Sequence, residues 1–358
     1  MKKRLARLLG FLAGLAVILA STFMAAASYY WLGWPDWLRT GLALCAVPGL
    51  AALWFVPGTV RHWRRVAVIG AISLFLSAYS QKELYPQSFV PLHERIVDVK
   101  FDGDLAEIIN FRDAVHQIDE PAQPRWTTRT FDLNELSGIQ LIYQPFGNSA
   151  ATVHVMMSFA FSNGDHLAVS FEARRTSWDT FDAVAGFFKH DQLYPVLGTE
   201  RDLLWKRLAR VPPNDLYFFD LEGTGEEGRA YLRHLLEFVA SLHQTPQFYS
   251  TISESCFTTL LKLSPRLRET VPWYDLRRWV PGASVGLFQE LGLIDSSVSE
   301  EELLERQKLR PDIRPPWEFE DANTWSSYLR SRVGRSDQAV LRLQTSAIGT
   351  SESFIGRP

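Results

Sequence analysis

Cysteine is nearly absent: the 358 residues contain two. Cys45 lies inside an apolar stretch and Cys256 in the large polar part of the chain. A membrane would separate them, which excludes a disulfide between them and leaves Cys256 a free thiol. An excess of basic charge is also missing. Lysine plus arginine number 37 against 40 aspartates and glutamates, a formal net charge of −3 with no basic patch, which argues against a nucleic-acid binder. The chain has no helix-turn-helix, no zinc-finger spacing, no Walker loop and no internal repeat, so no metal and no cofactor is expected.

Long hydrophobic runs, by contrast, are present at the N-terminus. Leu8 to Leu32 is almost uncharged and follows Lys2, Lys3, Arg4 and Arg7, Leu38 to Phe55 is a second apolar run, and Val66 to Ser80 a shorter third. These predict three transmembrane helices within residues 1–80. The first run is long for a signal peptide and two more follow it, which favours an uncleaved anchor. Basic residues at the N-terminus and at Arg61, Arg64 and Arg65 predict an N-in topology, with everything after Ser80 outside a bacterial inner membrane. In a Gram-negative cell that compartment is the oxidising periplasm, where a lone thiol calls for a reason.

Beyond the anchor, residues 81–125 read as a connector, 126–295 as the main domain, and 296–358 as a helical or irregular tail. Val153, Val155, Met157, Phe159 and Phe161 alternate with polar or small residues, as do Leu167, Val169 and Phe171, the pattern of paired strands. A two-residue Asn163-Gly164 turn would oppose the apolar face of one strand to the polar face of the other. A three-residue loop ending in a left-handed Gly164 pairs Phe159 with Leu167 and Met157 with Val169, and sets His154 opposite Glu172. A carboxylate beside an imidazole orients it and favours its charged form. The plain alternative is an ion pair on a solvated sheet face.

Glu226 to His243 reads as an amphipathic helix. Ser253 or Ser255 caps a short helix that runs to Leu263 and ends before Pro265, with Cys256 in its first turn. A helix N-terminus lowers a thiol's pKa, and its N–H groups can receive an acyl oxyanion. The plain alternative for Cys256 is a small buried hydrophobe.

The segments Ala151–Phe159, Val169–Arg175 and Phe248–Thr259 together resemble the extracytoplasmic domain of the lipoprotein N-acyltransferase Lnb family, over roughly Trp126 to Leu263. The resemblance implies a thiol and histidine pair that moves an acyl chain from a lipoprotein's diacylglycerol to its N-terminal amine. Carried onto this chain, Cys256 is the nucleophile, His154 the base and Glu172 the orienting group. Arg174, Arg175 and Ser158 are the expected substrate contacts. The implied fold is α+β, a permuted papain-like or NlpC-like thiol-enzyme domain with an antiparallel sheet and packed helices. The expected partners are a membrane lipid or lipoprotein and the inner membrane. Two rivals stay open: a peptidoglycan amidase or cysteine peptidase, and a non-catalytic, membrane-anchored binding module.

Overall fold

The computed structural model describes residues 2–84, 87–117, 120, 122–147, 149–176 and 181–334. They divide into two compact units.

The first unit holds helices α1 (Lys2–Trp31), α2 (Asp36–Phe55) and α3 (Arg61–Ser80), together with residues 181–192. Val17, Trp54 and Val68 form a small buried cluster among the helices. Residues 181–192 are tied to them by Tyr30 Oη donating to Asp182 (2.8 Å) and Trp31 Nε1 donating to the Phe188 carbonyl (2.6 Å). Among the described residues two helices, α1 and α2, are long and apolar enough to cross a membrane, where the sequence predicts three. The third fails because Arg61, Arg64 and Arg65 occupy the start of α3, and the apolar stretch left after them falls short of the roughly 20 residues a crossing takes.

The second unit contains β1 (Asp98–Asp102), β2 (Leu105–Arg112), β3 (Trp126–Asp132), β4 (Leu136–Pro145), β5 (Val153–Phe161), β6 (His166–Arg174) and most of β7 (Gln192–Gly198). After these come α4 (Glu200–Leu203), α5 (Trp205–Leu208), β8 (Tyr217–Asp220), α6 (Gly225–Gln244), α7 (Cys256–Leu263) and α8 (Pro265–Thr270). The last helices are α9 (Ser284–Glu290), α10 (Glu300–Gln307) and α11 (Ala322–Ser331). The strands form one sheet in the order β1-β2-β7-β6-β5-β4-β8, with β3 also on β2. The architecture is α+β as expected, but the sheet is mixed: β2 and β7 meet in parallel at Arg112 and Gly198.

The hairpin register agrees with the parity argument. Ala160 faces His166, Phe159 faces Leu167 and Met157 faces Val169. The Phe161 N–H donates to the Asp165 carbonyl (2.9 Å), and Gly164 sits at φ +87°, a conformation glycine adopts without strain. Past Met157 and Val169 the register stops, although β5 continues to Val153 and β6 to Arg174.

Both faces of the sheet are covered. On one, alternate β5 and β6 residues pack against Leu232, Leu235, Leu236 and Val239 of α6 and Phe257, Leu260 and Leu261 of α7. On the other, Ile142 and Met156 pack with Leu204, Trp205, Trp325 and Leu329. The second face is the one that alternation marks as polar. It is buried because α4, α5 and α11 lie on it, so α11 is part of the packed domain.

Candidate active site

Cys256 opens α7. Ser255 caps the helix: its hydroxyl accepts from the Thr258 N–H (3.3 Å), and its own N–H donates to Thr258 Oγ1 (2.9 Å). This reciprocal pair satisfies the amides that a helix start leaves open and fixes the direction of the first turn. Sγ points at β5, 3.9 Å from the Val153 carbonyl oxygen, with backbone hydrogen bonding from Val155 and Phe257. It therefore sits where the β5–β6 register has ended, against the backbone on either side of His154.

His154 faces the opposite way from Val153 and Val155. Its Nε2 lies 2.8 Å from Ser170 Oγ, and Ser170 in turn donates to Glu172 Oε1 (3.3 Å). Since the hydroxyl hydrogen goes to Glu172, Nε2 is the donor to Ser170 and Nδ1 keeps the lone pair. The direct distance from His154 to Glu172 is 3.9 Å. The sequence places these two side by side, and the structure does so with Ser170 between them. Ser170 was within reach of the sequence reading, since it shares a strand face with Glu172 two residues on.

Glu172 is flanked by two cations and an imidazole. Arg207 lies at 3.2 Å, Lys206 at 3.5 Å and His93 Nε2 at 3.8 Å. Burial works to raise its pKa, but Lys206 and Arg207 outweigh burial and hold the carboxyl well below the usual range. Burial pushes Lys206 down to about 8, against the pull of Glu172. Arg207 also donates to Gln144 and to the Leu203 carbonyl. His93 accepts the Arg175 N–H at Nδ1 (3.0 Å), which puts its hydrogen on Nε2, and its ring stacks on Tyr194. Nothing in the local sequence marks Lys206, Arg207 or His93, because they reach Glu172 from distant parts of the chain.

The expected substrate contacts are placed differently. Ser158 is 1% exposed and donates to Glu200, which also binds Arg330 of α11 (2.7 Å). Arg174 is buried, donates to the carbonyls of His93 (2.8 Å) and Glu94 (2.7 Å), and lies over the Phe89 ring. Both are structural ties, and neither side chain is open to an incoming anion. Arg175 is half-buried, with its backbone N–H on His93. Among the described residues, no group of three His, Cys, Asp or Glu is placed to hold a metal ion.

The expected thiolate–imidazolium pair is also corrected. Burial pushes the Cys256 thiol up to about 11, against the help of the Val155 and Phe257 amides. Burial, then Arg207, pushes His154 down to about 3 despite Glu172. The resting pair is a neutral thiol and a neutral imidazole.

Burial likewise takes His93 to about 3, and this gives a stability signature. Each histidine takes up its proton near pH 6.5 when unfolded but only near 3 when folded. The unfolded chain therefore binds more protons in that window. Their contribution is complete above pH 6.5 and is lost as pH falls toward 3, at up to about 1.4 kcal/mol per pH unit for each histidine. Thermal melts of the solubilised chain should show a falling midpoint over this range, and a His93→Gln/His154→Gln double variant should flatten the slope. An unchanged slope in that variant would remove these two histidines as the cause.

Comparison with curated proteins and with solved structures finds no match. Residues 122–282, which contain β5, β6, Cys256 and the turns after α8, match the family described as the Lnb N-terminal periplasmic domain. Over those residues the chain is similar to the extracytoplasmic domain of the Lnb family.

Proposed function

We propose that the chain is a membrane-anchored thiol acyltransferase or acyl hydrolase acting on a lipid or lipoprotein ester, with Cys256 as nucleophile and His154 as base. The observation that carries this reading is the seat of Sγ at the start of α7, beyond the last β5–β6 pair and against the backbone that flanks His154. The order of the two residues, histidine before cysteine, is that of a permuted papain-like enzyme.

With both groups neutral at rest, the thiol proton passes to His154 Nδ1 as Sγ attacks the ester carbonyl carbon. Ser170 relays the charge of Glu172 to the imidazolium that forms. The proton then leaves with the alcohol as the carbonyl re-forms, giving a thioester. An amine or water attacks the thioester, its proton goes to Nδ1, and Sγ departs and takes that proton back. We place the domain on the periplasmic face of a bacterial inner membrane, in keeping with the family's description. Two crossings leave both flanks of the anchor on one side, so this placement sets aside the N-in topology that three crossings required.

The test is the mass of a reporter lipoprotein's N-terminal lipopeptide, from cells that lack their own N-acyltransferase and express this chain. Conversion of the diacyl form to an N-acyl lyso form supports the transferase reading. An unchanged lipopeptide, with the protein present in the membrane, removes that substrate.

A second reading, a non-catalytic binding module, draws on the burial of Cys256, which is 6% exposed. Alkylation separates the two. In a Cys45→Ser background, iodoacetamide should label Cys256 slowly at pH 7 and faster by about tenfold per pH unit up to the thiol's pKa, since the thiolate is the reacting species. A His154→Ala variant that changes neither the rate nor its pH dependence would favour the binding module.

A further inference from the structure

The turn that follows α8 exposes Trp273 by 75%, Tyr274 by 67% and Leu276 by 68%. Single exposed hydrophobes are ordinary on a protein surface, but three large ones within four positions mark an interaction site. The segment is not a loose loop. The Asp275 N–H donates to the Pro272 carbonyl (3.1 Å), the Asp275 side chain accepts the Arg277 N–H (3.0 Å), and Arg278 donates to the Val271 carbonyl (3.2 Å). Further along, Gly282 lies so close to the turn before β5 that a Cβ there would stand 2.0 Å from the Ala150 carbonyl oxygen. The turn is thus held from both ends while its three largest apolar side chains face outward.

Its composition is that of a lipid headgroup boundary: an indole, a phenol, a leucine and nearby guanidiniums. Arg277 is neutralised by Asp275 and Glu290. Arg278 donates to a backbone carbonyl and forms no ion pair among the described residues, and Arg266 and Arg268 of the preceding α8 are exposed, as is Glu269. That balance suits an anionic surface. The chain also carries two candidate membrane spans, so a bilayer is held near this domain at high effective concentration.

We propose that the segment Pro272–Arg278 is a membrane-docking turn that seats Trp273, Tyr274 and Leu276 at the headgroup level of the bilayer. This rests on the membrane-anchored reading of the N-terminal helices and not on acyl transfer. The turns at 276–279 and 281–283 pack against α7, and the second also against β5. Docking therefore brings lipid to the elements that carry Cys256 and His154.

The test uses the full chain reconstituted into vesicles of phosphatidylethanolamine and phosphatidylglycerol, with no other protein present. In a Cys45→Ser/Cys256→Ser background, a nitroxide is placed at Trp273→Cys and, as a control, at Asn163→Cys on the exposed hairpin turn. The proposal predicts that the label at 273 collides with oxygen several-fold more, relative to a water-soluble nickel complex, than the label at 163. Equal ratios at the two positions would overturn it, as they would if the true occupant were a protein. The result does not depend on whether the lipopeptide mass changes, so failure here and failure of the acyl-transfer reading are distinguishable.

Discussion

Replacing Cys256 with serine is expected to cut conversion of the reporter lipopeptide by about 10⁴-fold or more, the size of effect seen when a covalent nucleophile is removed. Serine is the informative replacement. Sγ lies against the Val153 carbonyl and the Val155 amide at the end of the β5–β6 ladder, and alanine would leave those buried backbone groups without a partner. A loss in the serine variant with unchanged thermal stability is thus a loss of chemistry. His154→Ala should cost a similar factor, and the double variant no more than the worse single one, because residues acting as one unit are not additive. If the serine variant converts lipopeptide at a rate near that of the native chain, Cys256 is not the nucleophile.

Asp202→Ala should destabilise the domain by about 3–5 kcal/mol, the range for breaking a buried ion pair. Asp202 is fully buried and receives Arg112 through two bonds (2.8 and 3.1 Å), the Ala114 N–H (2.8 Å) and His116 Nε2 (2.9 Å). Burial opposes its ionisation, yet Arg112 and His116 keep it well below the usual carboxylate range. Removing it strands a guanidinium that is 1% exposed. An Arg112→Met/Asp202→Leu variant should recover much of the loss, because it removes both charges together. Denaturant titration of the three chains checks this, and a single variant as stable as the native chain would show that the pair contributes little.

How far the sequence reached depends on the separation of the interacting residues. The hairpin was legible because alternation and Gly164 are local, and the same parity that pairs Phe159 with Leu167 brings His154 to Glu172. The Cys256 helix was legible from Ser255 and from the apolar spacing up to Leu263. What stayed hidden came from far along the chain. Arg112 and Asp202 are 90 positions apart, and Lys206 and Arg207 look like the basic end of a surface helix until α5 is seen lying on the sheet. That covering also accounts for the pKa corrections. A solvated face would have left His154 near its ordinary value, whereas a dry one drives it neutral; the thiol is raised by its own burial at the start of α7. The burial of Ser158 and Arg174 was hidden for the same reason, since no local pattern shows that α11 and the Phe89 segment close over them.

The three-residue loop at Ser162–Gly164 acts on the site from a distance. Its length sets which side of the sheet every β6 residue occupies, so it decides whether Ser170 and Glu172 share a face with His154. Deleting Asn163 would touch no residue near the thiol, yet it would turn the histidine's support toward the opposite core. A one-residue insertion or deletion at this exposed tip is in effect an active-site mutation, and related chains that keep the histidine should also keep the loop's odd length.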